Sequence, residues 1–104
     1  MITKQKLHSG TFQLEKKLGP MTLGSFLKSW RLSLDLTQVE FSQILNLSSA
    51  NLCDIEKGRQ LVSIKKAAQI ANIIGYSEGI LIELALNDQL AAEGFKIRVK
   101  TEVA

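Results

Sequence analysis

A chain of 104 residues with 45% apolar and 22% charged side chains holds one domain with enough apolar material for a core, which excludes a wholly disordered tail or a fibrous repeat. No apolar run approaches the ~18 residues that a membrane span needs. One Cys and one His leave too little for a zinc site or a nucleophile–histidine pair, so neither cofactor nor catalysis is expected, while a net charge of +3 permits a polyanion partner without requiring one.

Residues 1–20 form an N-terminal arm carrying +3, from Lys4, Lys6, Lys16 and Lys17 against Glu15. Within it Thr11-Phe12-Gln13-Leu14-Glu15 alternates apolar and polar, which predicts a short strand over 11–15, and Gly19-Pro20 breaks the chain. The opening residues show no positive-then-apolar leader, and Cys53 has no intrachain partner for a disulfide, so a cytoplasmic location is expected. His8 lies in the polar arm without a metal partner.

From Thr22, a good N-cap, Leu23, Phe26, Leu27, Trp30 and Leu34 fall on one face of a first helix, with Trp30 read as packing. Thr37-Gln38-Val39-Glu40 has the form of a capping box and opens a second helix, about Gln38 to Leu45. Asn46-Leu47 leaves room only for a tight turn before Ser48 caps a third helix, which extends to Lys57 and stops at Gly58. Ser63 opens a fourth helix with Ile64, Ala67, Ala68, Ala71 and Ile74 as its stripe and Gly75 as its stop. Residues 21–60 balance to zero charge, and Lys65 and Lys66 add +2 to residues 61–76.

A fifth helix, about 78–92, is too apolar for one buried face. Ile80, Leu81, Leu84, Ala85 and Ala91 share one side, while Ile82, Leu86 and Leu90 recur on another. The second stripe is expected to meet a partner, a second copy or another protein. Glu78, Glu83, Asp88 and Glu93 give residues 77–94 a charge of −4, but their five-residue spacing spreads them around the helix. Phe95 to Val103 then alternates apolar or β-branched residues with charged ones, a half-buried strand pattern that predicts pairing with 11–15 or with its own copy.

Two short helices joined by a tight turn, the second opening with small polar residues and ending in Glu-Lys-Gly-Arg, suit a reader of the DNA major groove. The stretch from Leu23 to Tyr76 resembles the Xre-type helix-turn-helix family that includes the lambdoid phage repressors. Arg31, Leu36-Thr37-Gln38, Phe41, Leu45, Asn46-Leu47-Ser48-Ser49, Ile55-Glu56-Lys57-Gly58-Arg59 and the Ala71–Gly75 helix end carry the likeness. It implies an all-α, five-helix lambda-repressor-like domain over residues 21–94, here with short terminal strands at 11–15 and 95–103. Residues 95–104 are then a dimerisation or partner-contact segment.

The same resemblance implies a role for each matching residue. Gln38 would bond a phosphate and buttress the third helix. Ser48, Ser49, Ala50, Asn51 and Asp54 would face the groove, Ser49 and Ala50 offering at most short contacts and Asp54 only an acceptor for a cytosine amino group. Lys57 and Arg59 would contact phosphate. Arg31 and Glu56 would form a structural ion pair, and Cys53, between Leu52 and Ile55, a small packing residue.

A narrower resemblance covers Asn51 to Arg59, Leu61-Val62-Ser63, Gly75-Tyr76-Ser77, Glu83 to Leu86 and the closing Phe95 to Val103. These look like small bacterial HigA-type antitoxins, which bind a ribonuclease toxin and repress their own operon. The expected partners are an operator duplex, a second copy and a toxin protein, with Ile82, Leu86, Leu90, Ile97 and Val99 as the dimer or toxin contact. A stand-alone Xre-type or phage regulator shares the same core, and no membrane partner is expected.

Overall fold

The computed structural model describes residues 21–102. Five helices follow one another: α1 (Leu23–Ser33), α2 (Gln38–Ile44), α3 (Ser49–Glu56), α4 (Ile64–Ile74) and α5 (Glu78–Ala92). Each starts where a hydroxyl side chain can replace a missing helical acceptor. Thr22, Thr37, Ser48, Ser63 and Ser77 each accept a hydrogen bond from the backbone N–H three residues on, satisfying one of the amides that a helix start leaves free. At Thr22 and Thr37 the box is reciprocal, because Ser25 and Glu40 reach back to the cap's own N–H.

Leu23 and Leu27 from α1, Phe41 from α2, Leu45 just after it, Leu52 from α3, Ile70 from α4 and Leu81 from α5 are completely enclosed. α4 packs most extensively on α5, while α3 lies against both α1 and α2. Phe26, Trp30 and Tyr76 gather beside this core with ring centroids 5.3–5.9 Å apart, so Trp30 is a packing residue that ties α1 to the α4–α5 connection.

Three apolar positions depart from the expected stripes. α1 ends at Ser33, and Leu34, as its C-cap, leaves the helical face and is 55% exposed. In α4 the buried face is centred on Ala67, Ile70 and Ala71, while Ile64 points outward. In α5, Ala91 is exposed and the buried set instead includes Asn87.

The predicted terminal strand is also corrected. Residues 95–102 form no strand, since no partner strand exists among the described residues; the predicted strand over 11–15 lies outside them. The segment instead turns back at Gly94 (φ 86°) and is held on α5 by side chains. Asn87 accepts from the Val99 N–H at 2.7 Å and donates to its carbonyl at 3.1 Å. The Thr101 N–H donates to Glu83 at 2.6 Å, and the Thr101 hydroxyl donates to the Gly79 carbonyl. Asn87, Glu83 and Gly79 interleave on the helix with Ile82, Leu86 and Leu90, so the tail runs along the second stripe, and those three residues are half-buried.

One further contact closes the bundle. The Asp88 carboxylate on α5 accepts from the Leu23 N–H at 3.0 Å, holding the N-terminus of α1. Burial pushes its pKa up, against lowering by that bond and by the charge of Arg98. Because the folded-state pKa is raised, the ionised form opposes folding, and this penalty grows as pH rises through the folded pKa. Asp88→Asn, which keeps the acceptor, is therefore expected to raise the thermal midpoint at pH 7 and to leave it little changed near pH 3. Asp88→Ala should be about 1 kcal/mol less stable than Asp88→Asn; thermal melts of the three proteins at both pH values check this.

Candidate nucleic-acid interface

The turn between α2 and α3 is only four residues long, Leu45 to Ser48, because Asn46 adopts the left-handed conformation, φ 59°, which a short polar side chain tolerates better than a branched one. The Leu47 N–H then returns to the Ser42 carbonyl at 2.8 Å. Gly24 sets how near α3 comes to α1: a Cβ there would fall on the carbonyl oxygen of Ile55, so no other residue allows this approach of the two backbones.

The C-terminus of α3 is fastened by Glu56, whose side chain is only 2% exposed. Arg31 grips it with two donors, Nε to Oε2 at 2.8 Å and Nη2 to Oε1 at 3.0 Å. A third donor, Nη1, goes to the Leu36 carbonyl at 3.0 Å, and Gln38 donates from Nε2 to Oε1 of Glu56 at 3.1 Å. Residues from α1, the α1–α2 loop, α2 and α3 thus share one polar knot. Burial alone would push the Glu56 carboxyl up, but the bonds from Arg31 and Gln38 and the charges of Arg31 and Lys28 hold it below its ordinary value. The Glu56 carboxylate raises the pKa of Arg31 in return.

With Leu52, Ile55 and the Glu56 side chain buried, α3 turns mainly its first turn and Asp54 outward. Ser49 and Ala50 in its first turn are exposed, and Asp54 is half-exposed. The Ser48 hydroxyl already accepts from the Asn51 N–H at 3.0 Å. Asn51 is half-buried, with its Oδ1 enclosed and, among the described residues, unpaired, so that acceptor is turned away from the exposed face. Cys53 is half-buried. Lys57 caps α3 and Gly58 (φ 77°) turns the chain away, leaving Lys57 and Arg59 exposed. Arg59 lies beside Asp54, Nη1 to Oδ1 at 3.8 Å, and its N–H bonds the Asp54 carbonyl at 2.8 Å.

The expected pair Arg31–Glu56 and the buttress Gln38 are therefore brought together, and Ser49, Ala50 and Asp54 share the outer side of α3. Ile97 and Val99 lie in the tail, 62% and 37% exposed, while Ile82, Leu86 and Leu90 lie on α5. Sequence reasoning missed Gly24, the Leu36 carbonyl and the pairing of Asp54 with Arg59. A glycine inside an otherwise apolar helix pattern was the available signal for the first; the five-residue gap across the Gly58 stop was the signal for the last.

A helix-turn-helix family model matches residues 27–81, just over half of the chain and all of the α2–turn–α3 unit. The protein belongs to this family, the Xre-like helix-turn-helix proteins, and is accordingly a DNA-binding transcriptional regulator. No curated protein and no solved structure matches the chain. Among the described residues no helix is long and apolar enough to cross a membrane, and no cluster of three or more His, Cys, Asp or Glu side chains could hold a metal ion.

Removing Glu56 strands the buried Arg31, so Glu56→Ala is expected to cost about 3–5 kcal/mol in urea denaturation at pH 7. Since the folded-state pKa of Glu56 is lowered, its contribution is complete above the ordinary value of 4.5 and disappears as pH falls through the folded pKa. Glu56→Gln should accordingly show a flatter loss of stability than the parent protein between pH 5 and pH 3.

Proposed function

We propose that this protein is a homodimeric repressor that covers a two-fold operator, one α3 per half-site about one helical turn apart, and that it acts by binding alone, without catalysis, in the cytoplasm. The observation that carries this reading is the fastening of α3 at its C-terminus by Arg31, Gln38 and Glu56, with Ser49 and Ala50 left open at its other end. Gln38 uses one amide hydrogen on Glu56 and keeps the second for a phosphate, while Lys57 and Arg59 supply cationic phosphate contacts. Ser49 and Ala50 are short, so base reading is modest and backbone contacts provide most of the affinity.

The protein further reads as the antitoxin of an operon whose second product is a ribonuclease-type toxin. The supporting features are the residues shared with HigA-type antitoxins and the apolar side chains exposed beyond the helix-turn-helix, among them Phe95 and Ile97. A stand-alone regulator would bind the same operator but no toxin. Co-expression with the product of the adjacent reading frame separates the two. An antitoxin rescues growth from that product and co-purifies with it, whereas a non-toxic or unbound neighbour would overturn the antitoxin role and leave the repressor.

In gel shifts across several duplexes, Arg59→Ala is expected to weaken binding by a similar factor on every sequence and to flatten the salt dependence. Asp54→Asn, by freeing Arg59, should strengthen binding on all of them. A change confined to base preference in the Arg59 variant would refute the phosphate assignment; the same outcome in the Asp54 variant would make Asp54 a base reader instead.

A further inference from the structure

The C-terminal segment is positioned by features with no other evident purpose. Asn87, a buried polar side chain on α5, presents its carboxamide to Val99 as a neighbouring strand would, accepting from the N–H and donating to the carbonyl of the same residue. Two residues on, the Thr101 N–H faces the same way and reaches Glu83. Thr101 also packs so near Gly79 that a Cβ at residue 79 would sit 2.8 Å from its Cγ2, so a larger residue there would push the threonine off the helix.

With the amides of Val99 and Thr101 turned toward α5, the period of two turns those of Arg98, Lys100 and Glu102 away from it. Among the described residues the backbone groups of Arg98 and Lys100 make no hydrogen bond. The result is a strand edge fixed on its inner side and open on its outer side. Phe95, Ile97 and Val99 are exposed along it, and an open edge of this composition is a template for another strand.

We infer that the occupant is the same segment of a second copy, paired antiparallel about a two-fold axis at Lys100, with Arg98 of each copy opposite Glu102 of the other. Outward amides must meet outward amides, so even-numbered residues pair with even-numbered ones. Overlap and charge together select the register: centring on Thr101 opposes Lys100 to Glu102 twice, but among the described residues it pairs only residues 100–102, against 98–102 when centred on Lys100. Centring on Arg98 sets Arg98 against itself and Lys96 against Lys100 twice, three like pairs. Centring on Val99 opposes Lys96 to Glu102 twice, but also Arg98 to Lys100 twice. Centring on Lys100 yields two Arg98–Glu102 pairs against a single Lys100–Lys100 contact, and sets Val99 beside Thr101 on the other face. Opposite charges directly across a strand pair stabilise it and like charges oppose it.

This inference rests on the dimeric-repressor reading and gives that dimer its interface. Sedimentation equilibrium of the full chain tests it. The protein is expected to dimerise, and amide exchange to slow at Arg98 and Lys100 as concentration rises, while Val99 is protected at every concentration by Asn87. Lys100→Pro, which removes an outward N–H, should yield a monomer; Lys100→Gln, which relieves the like pair, should dimerise at least as well as the parent. Glu102→Lys should weaken the dimer roughly ten-fold. Because Arg98 also acts on Asp88, the readout for Arg98→Glu is its coupling to Glu102→Arg: the double variant should regain most of the affinity that each single one loses.

A protein that stays monomeric, a dimer indifferent to Lys100→Pro, or an exchange pattern that changes only when another protein is added would overturn the proposal. A tail-mediated dimer that binds no operator would sink the function and leave this interface standing. Operator binding by a dimer that Lys100→Pro does not disturb would do the reverse.

Discussion

The carboxylate of Glu56 is the point on which the DNA-binding unit depends. Two donors from Arg31 and one from Gln38 converge on it, and Arg31 extends the network to the backbone at Leu36. A charge so thoroughly removed from water survives only when its partners replace the lost hydration in full. The arrangement adds little net stability compared with a well-packed apolar substitute, but it has only one geometry. The helix it closes is eight residues long, too short to hold its shape by its own hydrogen bonds.

The same economy governs charge. Residues 21–60 hold four cations against four carboxylates, and both arginines are engaged, Arg31 with Glu56 and Arg59 near Asp54. A neutral reading unit cannot be drawn to DNA by its overall field, so the few exposed cations and the basic flanks must supply the attraction. The acidic residues of the chain are placed with comparable purpose: Asp88 receives the start of α1, and Glu83 receives the tail. What composition shows as a patch of −4 on the fifth helix is, in three dimensions, partly a set of acceptors for the chain's own amides.

Much of this was legible in the sequence. Caps, stops and periodicity placed all five helices to within a residue or so, because Thr22, Thr37, Ser48, Ser63 and Ser77 act locally and their chemistry is readable without the fold. The pairing of Arg31 with Glu56 came from a family likeness, not from spacing; residues 25 apart in sequence carry no local sign of contact. The tail was misread for a related reason. Alternation over 95–103 reports which faces the segment shows, not what lies beside it, and side chains from a helix took the place expected of a strand. Asn87 was invisible as a buried residue since polarity argued against burial, and its role exists only once Val99 has arrived. The apolar set of α4 shifted toward Ile70 because packing against α5 decides which of several adjacent stripes is covered.

Gly24 has a mechanical consequence. By letting the backbone of α1 rest on the Ile55 carbonyl, it fixes a fulcrum at one end of α3, next to the knot at Glu56, while Ser49 and Ala50 stand at the other end. At the helical rise the distance between them is about 9 Å, so a tilt of about 10° at the fulcrum swings the tip by about 1.6 Å. That displacement would be enough to break any hydrogen bond that the proposed docking gives the tip in the groove. Under the proposed docking, side chains as short as these cannot stretch to recover a lost contact, so the protein's aim depends on the stiffness of a joint that lies behind the groove-facing tip.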